Sequence, residues 1–103
     1  MLLTDLLTPE RIRIPLQARS KDDLLRELVE VITREDQVDD PDDVLRAVRE
    51  REAVLSTGIG NGVAIPHGKS SAVSELRMAA GLTRQPVDFD ALDGQPVRLF
   101  FML

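Results

Sequence analysis

The segment Val97 to Leu103 is apolar almost throughout, and it limits the fold more than any other stretch of the chain. A strand of that composition is buried on both faces, so other elements must cover it above and below. The sequence offers two good helices for this. The first opens at Ser20, which with Asp23 three residues later resembles a capping box, and runs from Lys21 to about Arg34. Leu24, Leu25, Leu28, Val29, Val31 and Ile32 form its apolar stripe at helical spacing, which leaves Arg26, Glu27, Glu30 and Arg34 for solvent. The second opens at Asp40-Pro41-Asp42-Asp43, where Asp40 suits the N-cap and Pro41 the first helical position. It carries Val44, Leu45, Ala47 and Val48 inward and runs to about Glu52. Because the sequence ends inside its strongest strand, the chain reads as a domain cut short.

The remaining segments read as strands and turns. Ile12 and Ile14 alternate with Arg11 and Arg13, the pattern of a short half-buried strand ending near Pro15. Leu2 to Leu7 reads as a short helix before a turn at Thr8-Pro9-Glu10. Ser56 to Gly62 is a glycine-rich loop, Val63 to Ile65 a short strand stopped by Pro66, and Ser70 to Glu75 a turn or short helix. Met78 to Leu82 reads as a further strand, Pro86 to Phe89 as a short edge strand, and Asp93-Gly94 as a turn. Helices and strands in this mixture predict one α/β domain over residues 1–103, a mixed sheet flanked by helices. The bare apolar end at Phe100, Phe101 and Leu103 predicts self-association, a possible homo-oligomer, or missing residues, since an uncovered apolar strand pairs readily.

Composition narrows the function. Hydrophobic residues at 43% and charged residues at 30% are an ordinary soluble balance. The net charge of −5, with no Trp, no Tyr and three Phe, removes both the basic footprint and the stacking surfaces of a nucleic-acid binder; it suits instead a basic partner surface or serves solubility alone. The absence of cysteine excludes disulfides and thiolate chemistry. A single histidine argues against a metal centre, which needs several ligands, and no cofactor motif is present. No segment is apolar enough over its length to insert in a membrane, and residues 1–7 lack the parts of a signal peptide. The expected location is cytoplasmic.

That one histidine, His67, is the candidate for chemistry. It follows a strand at its carboxyl end, where ligands bind in open α/β sheets, between Pro66 and Gly68. Just upstream, Ser56, Thr57, Gly58, Gly60, Asn61 and Gly62 form a candidate phosphate-binding loop, because closely spaced glycines let backbone amides approach a phosphate. The loop is neither a Walker A sequence nor a dinucleotide fingerprint, and a plain tight turn between helix and strand accounts for it equally well. Arg51 is the second candidate. It is either a helix-terminal cation on a solvated face or a guanidinium clamp on a phosphoryl group.

The run Ser56-Thr57-Gly58-Ile59-Gly60-Asn61-Gly62-Val63-Ala64-Ile65-Pro66-His67-Gly68-Lys69 resembles the signature of the enzyme IIA domains of the fructose–mannitol class, which belong to the bacterial phosphoenolpyruvate-dependent phosphotransferase system. The Arg51-Glu52 pair before it and Asp93-Gly94-Gln95-Pro96-Val97 after it fit the same pattern, so the resemblance spans essentially the whole chain. It implies the fold of those domains and a phosphotransferase working through a phosphohistidine. His67 would accept a phosphoryl group from the histidine-containing phosphocarrier protein and pass it to a IIB domain, or hold it as a signal to regulated target proteins; Arg51 would lie in the site. The loop sequence and the lack of a fused transporter segment lean towards the nitrogen-regulatory branch. Family members run on well past this length, and the further segment supplies C-terminal helices and commonly a second active-site histidine, so the chain is expected to be a fragment or a shortened homologue with those helices missing. A different class of reading keeps the fold and signature but makes the domain a non-catalytic regulatory module that binds protein partners.

Overall fold

The computed structural model describes residues 7–34, 40–69 and 77–103. The segments read from sequence as a helix before Leu7 and as a turn or helix after Ser70 lie largely outside them. A single 3-10 turn, Pro9–Arg11, leads into β1 (Ile12–Leu16), then α1 (Lys21–Arg34) and α2 (Pro41–Val54). Short strands β2 (Gly58–Gly60) and β3 (Val63–Ala64) follow, then β4 (Ala79–Val87) and β5 (Val97–Met102). The five strands form one mixed sheet in the order β1-β4-β5-β3-β2. β1 runs parallel to β4, β3 runs parallel to β5, and the β4–β5 and β2–β3 pairs are antiparallel. This is the α/β architecture with a mixed sheet that the sequence predicts.

The helices begin where their caps place them. The Asp23 amide donates to Ser20 Oγ at 3.3 Å, and the Asp43 amide donates to Asp40 Oδ1 at 3.2 Å, each satisfying one otherwise orphaned helix-end donor. All six stripe residues of α1 are buried, as are Val44, Leu45 and Val48 of α2. They meet Leu16, Ala79, Phe100 and Met102 of the sheet in one core. At its centre the Phe89 and Phe100 rings pack edge to face, 5.5 Å apart at 62°, the geometry that aromatic quadrupoles favour.

Four expectations change. Phe100 is not bare: it is fully buried, while Phe101 and Leu103 are half-buried, and β5 lies inside the sheet between β4 and β3. Ile12 and Ile14 are exposed, and Leu16 is the buried residue of β1; a register shift against β4 between Arg13 and Leu16 breaks the alternation that would put all three on one face. Pro86 belongs to β4, which continues through it to Val87 across a register shift after Leu82; that irregularity is where a residue without an amide donor fits inside a sheet. Glu27 does not simply face solvent. Its carboxylate accepts from the amides of Gln17 at 2.9 Å and Ala18 at 2.8 Å and from Arg13 at 3.4 Å, tying the β1–α1 connection to the helix.

Candidate functional site

The glycine-rich segment is a hairpin rather than an open loop. Gly58–Gly60 pairs with Val63–Ala64 across Asn61 and Gly62, at φ 57° and 76°. Two successive positive φ angles define the tight turn that matches strand twist, and Asn-Gly is the pair that adopts it at least cost. The hairpin is held by its neighbours. Asp93 accepts from the Asn61 amide at 3.3 Å, the Gly62 carbonyl accepts from the amides of Arg98 and Leu99 at 3.0 and 3.1 Å, and the Leu92 amide donates to the Gly58 carbonyl at 3.0 Å. The Gly58 amide donates to Ser56 Oγ at 3.1 Å.

Past β3 the chain reaches His67. The Pro66 carbonyl accepts from the Leu103 amide at 3.0 Å, which keeps this stretch beside the end of β5. The half-buried imidazole of His67 has Nδ1 3.0 Å from the Ile65 carbonyl. A carbonyl oxygen only accepts, so Nδ1 carries a proton, and in the neutral ring Nε2 then keeps its lone pair. Gly68 then lies against α2: a Cβ there would sit 3.0 Å from the Ala47 carbonyl carbon and from the Val48 nitrogen. Only glycine lets the histidine segment approach the helix backbone this closely.

That approach brings α2 and His67 together. His67, Arg51, Lys69, Ser56 and Thr57 line one groove of about 840 Å³, with Leu55, Ile59, Ile65 and Leu92 among its apolar walls. Arg51 is in the last turn of α2 and donates to the Leu55 carbonyl at 2.7 Å, so it caps the helix and also faces the groove. Gly58, Gly60, Asn61 and Gly62 do not line the groove. The structure therefore brings together His67, Arg51, Ser56 and Thr57 and leaves those four residues to the hairpin behind them.

Two further residues belong here. Lys69 adds a second cation beside His67. Glu52 is buried at 6% exposure. Its carboxylate accepts from the Thr57 amide at 3.0 Å and the Thr57 hydroxyl at 2.7 Å, and it pairs with Lys21 Nζ of α1 at 3.0 Å. Burial pushes this carboxyl up, but the Thr57 donors and the Lys21 ammonium outweigh it and hold it below its ordinary value. The sequence does carry a signal for Glu52, since it continues the buried row Val44, Val48 at a spacing of four. Among the described residues no three His, Asp or Glu side chains gather as a metal site would need.

Comparison with known proteins decides the family. Residues 5–103 match the family described as "Phosphoenolpyruvate-dependent sugar phosphotransferase system, EIIA 2". The chain belongs to this EIIA 2 family. It is 37% identical over all of its length to 16% of a "PTS system fructose-specific EIIABC component" of Bacillus subtilis. It is 39% identical, over 98% of its length, to 66% of a "Nitrogen regulatory protein" of Pseudomonas aeruginosa. The crystal structure of nitrogen regulatory protein IIA-Ntr from Neisseria meningitidis superposes with a TM-score of 0.90 at 38% identity, covering 99% of this chain and 69% of that one. The IIA-mannitol component of a complex with phosphorylated IIB-mannitol from Escherichia coli shares the fold, with a TM-score of 0.80 at 22% identity over 93% of this chain and 67% of that one. The EIIA 2 chain thus spans about a sixth of the Bacillus relative and about two thirds of the others. The resemblance to the fructose–mannitol class, with its nitrogen-regulatory branch, holds.

Proposed function

We propose that this EIIA 2 chain is a phosphotransferase that carries a phosphoryl group on His67 Nε2. The observation that carries the reading is the Nδ1–Ile65 carbonyl hydrogen bond, which fixes the tautomer and leaves the Nε2 lone pair free on a residue that lines the groove. The donor is the phosphohistidine of the histidine-containing phosphocarrier protein. As Nε2 attacks phosphorus, the P–N bond of the donor breaks and a P–Nε2 bond forms, while Nδ1 keeps its proton against Ile65. Phosphoryl transfer demands in-line positioning and charge stabilisation more than covalent help. Arg51 and Lys69 supply positive charge at the groove for the equatorial oxygens. The apolar walls around them suit a protein partner that seals the groove from water during transfer.

The recipient is a IIB domain or a regulated target protein. Fructose-specific and nitrogen-regulatory relatives stand at 37% and 39% identity and favour neither. The relay draws on phosphoenolpyruvate, which places the chemistry in the cytoplasm; among the described residues no helix is long and apolar enough to cross a membrane.

The test is incubation with phosphoenolpyruvate, enzyme I and the phosphocarrier, followed by mass spectrometry. An acid-labile gain of one phosphoryl group that disappears in His67→Ala is expected. A folded chain that gains no mass would leave the non-catalytic module as the better reading. Arg51→Ala should slow the transfer by ~10²–10³-fold, the usual cost of one preorganised donor; an unchanged rate would return Arg51 to a purely helix-capping role.

A further inference from the structure

A second cleft, of about 570 Å³, lies between the end of β1 and the end of β4. β1 and β4 run antiparallel to β5 and β3, so their carboxyl ends lie at the opposite edge of the sheet from His67, which follows β3. The cleft is lined by Arg19 and Arg84 and by no carboxylate. The chain's net charge is −5; the carboxylate at hand is that of Glu27, which is engaged by the amides of Gln17 and Ala18 and by Arg13. Among the described residues neither guanidinium has a hydrogen-bond or ion-pair partner, whereas Arg13, Arg26, Arg46 and Arg49 are all paired with carboxylates. The carboxamide of Gln85 adds a neutral donor to the same wall, and Leu16, Pro86 and Val87 make up its apolar part.

We propose that this cleft binds a small phosphorylated metabolite, independently of the phosphoryl-transfer groove. Two uncommitted guanidinium groups offer the planar donor forks that match phosphate oxygens. The volume falls within the roughly 300–1,000 Å³ of small-molecule sites and exceeds what a bare phosphate fills. The apolar wall then holds the carbon body while the arginines hold the phosphate.

The test is a titration of ¹⁵N-labelled chain at fixed ionic strength with inorganic phosphate and with glycerol 3-phosphate, read as amide shifts. Saturable shifts at residues 17–19 and 83–87 are expected, with glycerol 3-phosphate the tighter ligand. Arg84→Ala should weaken binding about tenfold, the worth of one charge-assisted bond, and Arg19→Ala with Arg84→Ala should abolish it. Both variants should keep dispersed spectra and full phosphorylation of His67. Arg51→Ala should leave these shifts in place, which separates this cleft from phosphate bound at the transfer groove. Shifts confined to residues 65–69, shifts that never saturate, or shifts that survive the double variant would overturn the proposal. Equal affinity for the two probes would do the same, reducing the cleft to a site for an adventitious ion only.

Discussion

Glu52 shows how a side chain outside the reaction shapes the site. It places a carboxylate under the turn that carries Ser56 and Thr57, and Lys21 answers its charge from α1. Removing the charge while keeping the shape should therefore loosen this turn. Glu52→Gln is expected to cost about 1–3 kcal/mol near neutral pH, since a charge-assisted bond weakens and Lys21 loses its close partner. The pH dependence follows from the sign of the shift. The folded carboxyl lies below its ordinary value of 4.5, so its contribution is complete above that value and is lost as pH falls through the folded one. Denaturant melts from about pH 6 to about pH 3 should show the gap between wild type and Glu52→Gln closing on the acid side. A gap that stays constant would mean Glu52 is not ionised in the fold.

At the scale of elements, the site is a meeting of α2 with the segment after β3, and Gly68 sets their distance. Gly68→Ala pushes a methyl against helix backbone, which cannot move aside as a flexible side chain would. It should cost about 1–3 kcal/mol as overpacking and lower the rate of phosphorylation as His67 moves away from Arg51. A Gly68→Ala variant with unaltered melting temperature and rate would show the approach to be unimportant. The helices were readable from sequence because cap and stripe are local: Ser20, Asp40 and Pro41 announce starts, and the leucine and valine rows announce faces. The strands were less readable. The exposure of Ile12 and Ile14 beside a buried Leu16 goes with a register shift where β1 meets β4, and the place of Pro86 goes with another where β4 meets β5; neither is written in the local pattern. His67 and Arg51 were visible as candidates. The withdrawal of Gly58 and Gly60 into a hairpin has a local signal, the Asn61-Gly62 pair, that the reading of a glycine-rich loop passes over; its anchoring by Asp93 and Leu92, more than thirty residues away, is not written locally.

Across the whole molecule, one core joins both helices to β4 and β5, and the Phe89–Phe100 pair sits in its middle. With three phenylalanines and no Trp or Tyr, the chain has few large side chains with which to fill a cavity. Phe100→Ala is therefore expected to cost about 3–5 kcal/mol, a large share of the stability of a domain this size. It should leave any remaining folded fraction competent for phosphorylation, because neither ring lines the groove. A loss below about 1 kcal/mol in chemical denaturation would show that the core closes around the gap. The same layout sets two clefts at opposite ends of the sheet strands, His67 after β3 and Arg19 and Arg84 after β1 and within β4.

In the proposed transfer, His67 takes the phosphoryl group on Nε2 while Nδ1 stays bonded to Ile65. The direct measurement is ³¹P and ¹⁵N NMR of the phosphorylated chain with ¹⁵N-labelled histidine. The expected spectrum has phosphorus coupled to Nε2 of His67 and a protonated Nδ1. Phosphorus on Nδ1, or on any residue other than His67, would contradict it.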